Sequence, residues 1–129
     1  MYMLDTDTCS YVLKTKSKKL QKKFQSEAGN IALSEIVLAE LRYGAENHQN
    51  RTKEIHHLID EFTARLDIVP WAASTTYGIV RTHLQKQGTP IGNLDTLIAA
   101  HAIDQDLILV TNNSKHFQRV PKLKIENWL

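Results

Sequence analysis

Four short apolar runs, at residues 2 to 5, 31 to 33, 66 to 69 and 107 to 111, alternate with longer stretches of helical period. The helical stretches fall near 8 to 14, 17 to 27, 35 to 47, 51 to 65, 72 to 87 and 93 to 104. Runs this short suit buried strands, and a segment of a dozen or more residues between two strands is what a parallel crossover requires. The alternation therefore predicts an α/β chain, a mainly parallel β-sheet flanked by α-helices on both faces, whose ligands gather at the carboxyl ends of the strands. With 129 residues, 42% of them hydrophobic, the chain suits a single domain over 1–129, long enough to bury about two-thirds of its unfolded surface. No repeat, low-complexity tract or Pro-, Gly- or Ser-rich linker divides it. The sharpest punctuation is Gly88-Thr89-Pro90-Ile91-Gly92, a loop ahead of a helix.

The formal charge of +2 permits a nucleic-acid partner without requiring one. Cys9 is the one cysteine, which excludes an internal disulfide. The N-terminus lacks the charged start, long apolar centre and small-residue cleavage site of a secretory signal, so a cytoplasmic location is expected. No apolar stretch approaches the roughly 20 residues that span a bilayer, so no membrane association is expected.

Within this frame, several acids stand where acids are costly. Asp5 directly follows Met1-Tyr2-Met3-Leu4, and Asn113 lies just past Leu107-Ile108-Leu109-Val110, so both fall at strand ends. Glu40 shares a helical stripe with Ile36, Val37, Tyr43 and Gly44; Asp95 shares one with Ile98, Ala99 and Ala102 and sits in a first turn, at the positive end of a helix dipole. Taken singly, each has a bland reading. Asp95 is an acid favoured at a helix start, Glu40 pairs with Arg42 or Arg81, and Asn113 is a turn residue in Thr111-Asn112-Asn113-Ser114. Together, three acids from distant segments approach one end of a parallel sheet, and such a cluster suggests a cation. Carboxylate oxygens without Cys or His partners suit Mg²⁺ or Mn²⁺. Phosphodiester hydrolysis uses that chemistry, since the ion polarises a phosphate oxygen and acidifies water. The neutral Asn113 amide oxygen can ligate weakly or orient water.

Asp7 adds a second acid in Leu4-Asp5-Thr6-Asp7-Thr8 and opens a rival reading. An Asp-x-Asp after an apolar strand is also how haloacid-dehalogenase-type phosphatases present a nucleophile and a general acid beside Mg²⁺. Here the hydroxyl residue expected two positions after the second Asp is Cys9, and no paired acidic motif follows a later strand.

These segments resemble, nearly end to end, the PIN-domain ribonucleases, specifically the VapC toxins of type II toxin–antitoxin pairs. Met3-Leu4-Asp5-Thr6 resembles the opening strand, and Leu33-Ser34 with Ala39-Glu40-Leu41-Arg42-Tyr43-Gly44 the second acidic motif. Gly88-Thr89-Pro90-Ile91-Gly92 with Asp95 and Leu97-Ile98-Ala99-Ala100-His101-Ala102 resembles the third. Leu109-Val110-Thr111-Asn112-Asn113 with Phe117 resembles the fourth, and Arg119-Val120-Pro121 and Glu126-Asn127-Trp128 also fit. The resemblance implies metal-dependent endonucleolytic cleavage of RNA, with Asp5, Glu40 and Asp95 as the metal-binding acids. Asn113 stands where many relatives carry a fourth Asp, which removes one anionic ligand from a second ion. Asp7 replaces a usual Asn; it either adds charge to the site or caps the following helix. Thr6 and Ser34 are hydroxyls placed to support the acids or to cap backbone locally. Gly-Thr-Pro-Ile-Gly and Thr-Asn-Asn are similar to members that cut initiator tRNA in the anticodon region and so block translation. The resemblance further implies a homodimer and a cognate VapB-type antitoxin whose C-terminal segment covers the acids, often with a basic side chain. A non-enzymatic alternative keeps the fold and the antitoxin surface as a catalytically weak binding module, because of Asn113.

Lys14, Lys16, Lys18, Lys19, Lys22 and Lys23 place six of the sixteen basic side chains within ten residues, with Leu20 and Phe24 marking a narrow inward face. This is either an RNA-tracking surface or a solvated helix face. His101 is expected as a packed or hydrogen-bonded core residue, His48, His56 and His57 as surface positions, and Trp71 and Trp128 as packing anchors. No histidine pair has zinc-site spacing.

Overall fold

The computed structural model describes residues 1–129. The elements run β1 (Tyr2–Leu4), α1 (Thr6–Leu13), α2 (Lys18–Glu27), a 3-10 turn (Ala28–Asn30), β2 (Ile31–Ser34), α3 (Glu35–Glu46) and α4 (Thr52–Thr63). They continue with β3 (Asp67–Val69), α5 (Ser74–Lys86), α6 (Asn93–Asp104), β4 (Ile108–Val110), α7 (Ser114–Phe117) and β5 (Ile125–Glu126). The α/β expectation holds, and the predicted elements are recovered to within about two residues at each end. The short α7 and β5 are additions.

All five strands are parallel, in the order β3-β2-β1-β4-β5. The chain lays β2 and β3 on one side of β1 and then returns to the other side for β4 and β5. The order therefore reverses between β1 and β4, where Leu4 is in register with Val110. At such a switch point the connections leave in opposite directions and open a crevice beyond the strand ends.

The strands are buried on both faces, as parallel strands covered by helices must be. Met3, Leu4, Leu33, Leu109 and Val110 are inaccessible to solvent, and Val37, Ile98, Ala99 and Ala102 reach them from α3 and α6. Each large side chain so buried contributes about 1.5–3 kcal/mol. Leu20 is buried on α2 and Phe24 stacks on Phe62 of α4 at 5.2 Å, the narrow inward face expected of that helix. Trp128 packs edge-on to Tyr2 at 5.0 Å, and the Trp71 indole donates to the Leu97 carbonyl at 2.9 Å. Both tryptophans are packing anchors, as expected.

Local chemistry sets where the helices start. Ser17 and Ser34 accept hydrogen bonds from Leu20 N and Ile36 N, each at 3.2 Å, and so cap α2 and α3. Gly88 ends α5 in the left-handed conformation (φ 69°), with Gly88 N bonded to Gln85 O and Thr89 N to Leu84 O. That paired closure favours glycine, and Pro90 then prevents the helix from resuming before α6 begins at Asn93.

Candidate functional site

The crevice beyond β1 and β4 collects the acids. Asp5 follows β1 with no intervening loop and is 4% exposed; its backbone N–H extends the ladder to Val110 O at 3.0 Å. Its carboxylate accepts from Thr8 N at 2.9 Å, so Asp5 is itself the N-cap of α1. The capping role expected for Asp7 is therefore corrected: α1 opens at Thr6, and Asp7 lies exposed within its first turn. Burial raises the Asp5 carboxyl above its ordinary range. Hydrogen bonds from Thr111 and Thr8 oppose the rise, and the Asp7 charge adds to it.

Glu40 is half-buried on α3, and its Oε1 accepts from Thr6 Oγ1 at 2.7 Å. The expected inward stripe is only partly realised, since Tyr43 is 70% exposed and Glu40 sits on the stripe's edge. Neither proposed arginine partner serves it. Arg42 turns to Asp60 and His56 on α4, and Arg81 bonds the Tyr77 hydroxyl. Glu40 thus forms no ion pair with Arg42 or Arg81.

Asp95 is half-buried in the first turn of α6, above the buried Ile98, Ala99 and Ala102. Burial raises its carboxyl, and the charges of Asp5, Glu40 and, less strongly, Asp7 raise it further, opposed by His116. Four acids and one histidine from four segments therefore share a field at this edge of the sheet. No three His, Cys, Asp or Glu side chains close into a metal-ligating cluster.

Asn113 lies past β4, its N–H bonded to Thr111 Oγ1 and its Nδ2 facing His116 Nδ1, both at 2.9 Å. Ser34 is fully buried and meets His101 Nδ1 at 2.8 Å, which ties the end of β2 to α6. His101 Nε2 has no partner; burial lowers its basicity against the pull of Asp104 and the Pro70 carbonyl. His101 is thus the hydrogen-bonded core residue anticipated. His56 is not an ordinary surface position, because it bridges Arg42 at 3.0 Å and Glu46 at 2.6 Å.

The six lysines divide. Lys14 lines a cavity of about 490 Å³ between α1, α3 and α4, together with Thr6, Glu40, His48 and Arg51. Lys19, Lys22 and Lys23 line a separate groove with Ser26, Asn127 and Trp128. Lys16 and Lys18 are exposed and line neither. Asn127 Nδ2 donates to Asn112 Oδ1 at 3.3 Å, which joins the lysine groove to the strand end that carries Asn113. Nothing in the sequence pattern marks Thr8, Thr111 or His116. The Thr-Asn-Asn run was visible, but the use of its hydroxyl was not.

A parallel sheet of this order with acids at its switch point is compatible with a PIN domain, and the PIN domain family model matches residues 2–123. The Ribonuclease VapC2 of Rickettsia felis is 43% identical over 136 aligned positions, covering 99% of this chain and 98% of the relative. The tRNA(fMet)-specific endonuclease VapC of Shigella flexneri is 38% identical over 129, covering 98% and 97%. The crystal structure of VapBC2 from Rickettsia felis bound to a promoter DNA fragment superposes with a TM-score of 0.93 at 41% identity, covering 99% of this chain and 98% of that one. The chain belongs to the PIN-domain family, in its branch of VapC ribonucleases, a class of RNA-cleaving toxins. That membership also removes the Asp-x-Asp phosphatase reading; Cys9, where the phosphatase motif has its hydroxyl, is fully buried.

Proposed function

We propose that this chain is a Mg²⁺- or Mn²⁺-dependent endoribonuclease toxin that cuts initiator tRNA in the anticodon region and so blocks translation. One feature carries the catalytic part: Asp5 at the end of β1, Glu40 on α3 and Asp95 in the first turn of α6, three elements distant in sequence, lie close enough for the charges of Asp5 and Glu40 to hold the Asp95 carboxyl up. Such mutual repulsion is what a bound cation relieves. The donor set fits the group. Its oxygens are hard, and Mg²⁺ keeps several waters and needs only one or two carboxylates, so three converging side chains are not required. When bound, the ion would supply charge for the scissile phosphate and lower the pKa of water.

The protein's own residues do the placing. The Thr8 N–H and the Thr111 hydroxyl hold Asp5, the Thr6 hydroxyl holds Glu40, and the α6 N-terminus supports the charge on Asp95. Asn113 offers an amide to orient the attacking water. Asp7 adds a more remote negative charge. Ser34 acts at a distance, by starting α3 and bracing α6.

RNA phosphates would follow the lysine groove from Asn127 towards Lys19, Lys22 and Lys23, with Lys14 on the other flank and Lys16 and Lys18 outside. The cavity beside Glu40 has an apolar floor that includes Leu41, Ile55 and Ile59, which suits an antitoxin segment that carries a basic side chain to the acids. The VapBC structure of the Rickettsia relative supports a VapB-type partner, and a homodimer completes the proposed assembly. No helix is long and apolar enough to cross a membrane; action in the cytoplasm is part of the proposal.

The target is supported by the name of the Shigella relative and is tested by mapping cut ends on purified initiator and elongator tRNAs. A single cut in the initiator anticodon region supports it. Equal cutting of all tRNAs keeps the nuclease and rejects the target, and no cutting by folded protein leaves the binding module.

A further inference from the structure

Phe117 is buried and pins α7, and His116, one residue earlier, is left exposed at the rim of the acidic crevice. Its Nδ1 stands 2.9 Å from Asn113 Nδ2. The Asn113 backbone is fixed separately by Thr111 Oγ1. Although Asn113 occupies the N-cap position of α7, its side chain makes no capping bond. An asparagine at a helix start ordinarily turns its oxygen to the backbone; this oxygen is not used in that way.

An amide has two unlike ends. The oxygen attracts cations and water protons, whereas the NH₂ group repels cations and would be taken up by neighbouring carboxylates. The Thr111 bond holds the Asn113 backbone and leaves open which end of the side-chain amide faces the crevice. A neighbouring imidazole held in one tautomer would settle that. A neutral imidazole with its hydrogen on Nε2 has a lone pair on Nδ1, which accepts only from the NH₂ end.

We propose that His116 is a positioning residue for RNA cleavage: by accepting a hydrogen bond from Asn113 Nδ2, it turns Asn113 Oδ1 to the acidic crevice, where the oxygen serves the cation and the attacking water. The inference rests on the metal-nuclease reading above. It also gives a reason why this chain works with Asn at a place where an acid needs no orienting, since both ends of a carboxylate are oxygen.

The test is a double-mutant cycle, read by steady-state cleavage and by Mn²⁺ affinity from calorimetric titration of RNA-free protein. His116→Leu removes the acceptor and should lower kcat by about tenfold, with KM little changed, and weaken Mn²⁺ binding by a similar factor. His116→Asn, which keeps an acceptor near Nδ1, should recover most of both. In an Asn113→Asp background the same His116→Leu change should cost less than about twofold, because nothing is left to orient. If Asn113→Asp is itself inactive, the Mn²⁺ titration decides the cycle. An independent readout is the tautomer of the neutral His116 imidazole by long-range ¹H–¹⁵N correlation. Nε2–H is expected, and a dominant Nδ1–H form overturns the proposal. Equal losses from His116→Leu in both backgrounds, or no loss in the first, also overturn it. Either failure with Asp95→Asn still inactive rejects this role alone; an active Asp95→Asn rejects the parent reading.

Discussion

Thr6 Oγ1 donates to Glu40 Oε1 across 2.7 Å, tying the first turn of α1 to the middle of α3. The bond is part-buried and ends on an anion, so replacing Thr6 by Val should cost about 1 kcal/mol of stability, below the range for fully buried charged partners. Activity should fall about tenfold through loss of Glu40 placement, and Thr6→Ser should keep most of it. Urea denaturation with cleavage kinetics on the same preparations checks both; a Val variant cutting as wild type does would remove Thr6 from the site.

Asp95 gives a pH-dependent expectation whose sign follows from its raised carboxyl. Burial comes first among the causes, then the charges of Asp5 and Glu40. Between the ordinary aspartate value of 3.8 and the raised folded value, the native state holds more protons than the unfolded chain. Stability is therefore lost as pH rises through that window and the penalty is complete above it. Asp95→Asn should accordingly melt higher than wild type in EDTA at neutral pH, with the gain shrinking as pH falls towards 3.8. Adding Mg²⁺ or Mn²⁺ should raise the wild-type melting temperature more than the variant's. A variant less stable at every pH would show that the local repulsion is not felt.

The layered α/β plan was legible because buried parallel strands read as short apolar runs ended by polar residues. The acids at Asp5 and Asp95 were legible for the related reason that charge stands out against such runs. The strand order was not, since pairing β1 with β4 joins Leu4 to Val110 across most of the chain. α7 and β5, of four and two residues, are too short to carry a period. The sequence pattern starts α1 two residues late, because a strand running straight into its helix lets Asp5 serve as last strand neighbour and cap together. The sequence offers Arg42 as one partner for Glu40, but α4, folding back on α3, presents Asp60 and His56 to it instead. His116 has no apolar context to mark it, and its link to Asn113 depends on the turn.

Ser34 serves two partners, the part-buried Ile36 N–H and the buried His101 Nδ1. Ser34→Ala should remove the α3 cap and leave the imidazole nitrogen unpaired, for a combined loss of about 2–3 kcal/mol. Chemical denaturation measures it, and a loss under half a kcal/mol would mean that the Ser34–His101 contact contributes little.

Lys19 and Lys22 line the groove that Asn127 joins to Asn112. Replacing both by Gln should weaken binding of tRNA to an Asp95→Asn trap and flatten the dependence of log K on log salt by about 0.7–0.9 per lost phosphate contact. Fluorescence anisotropy over a salt series reads the slope, and an unchanged slope would assign these lysines to solvent.

The most direct measurement is cleavage of purified tRNA by wild type and by Asp5→Asn, Glu40→Gln and Asp95→Asn, each in Mg²⁺, Mn²⁺ or EDTA, with folding checked by thermal melting. The account predicts cutting by wild type with metal, none in EDTA, and a loss of at least about a hundredfold in each variant. Folded variants that cut RNA as fast as wild type, or wild-type cutting undiminished by EDTA, would contradict it.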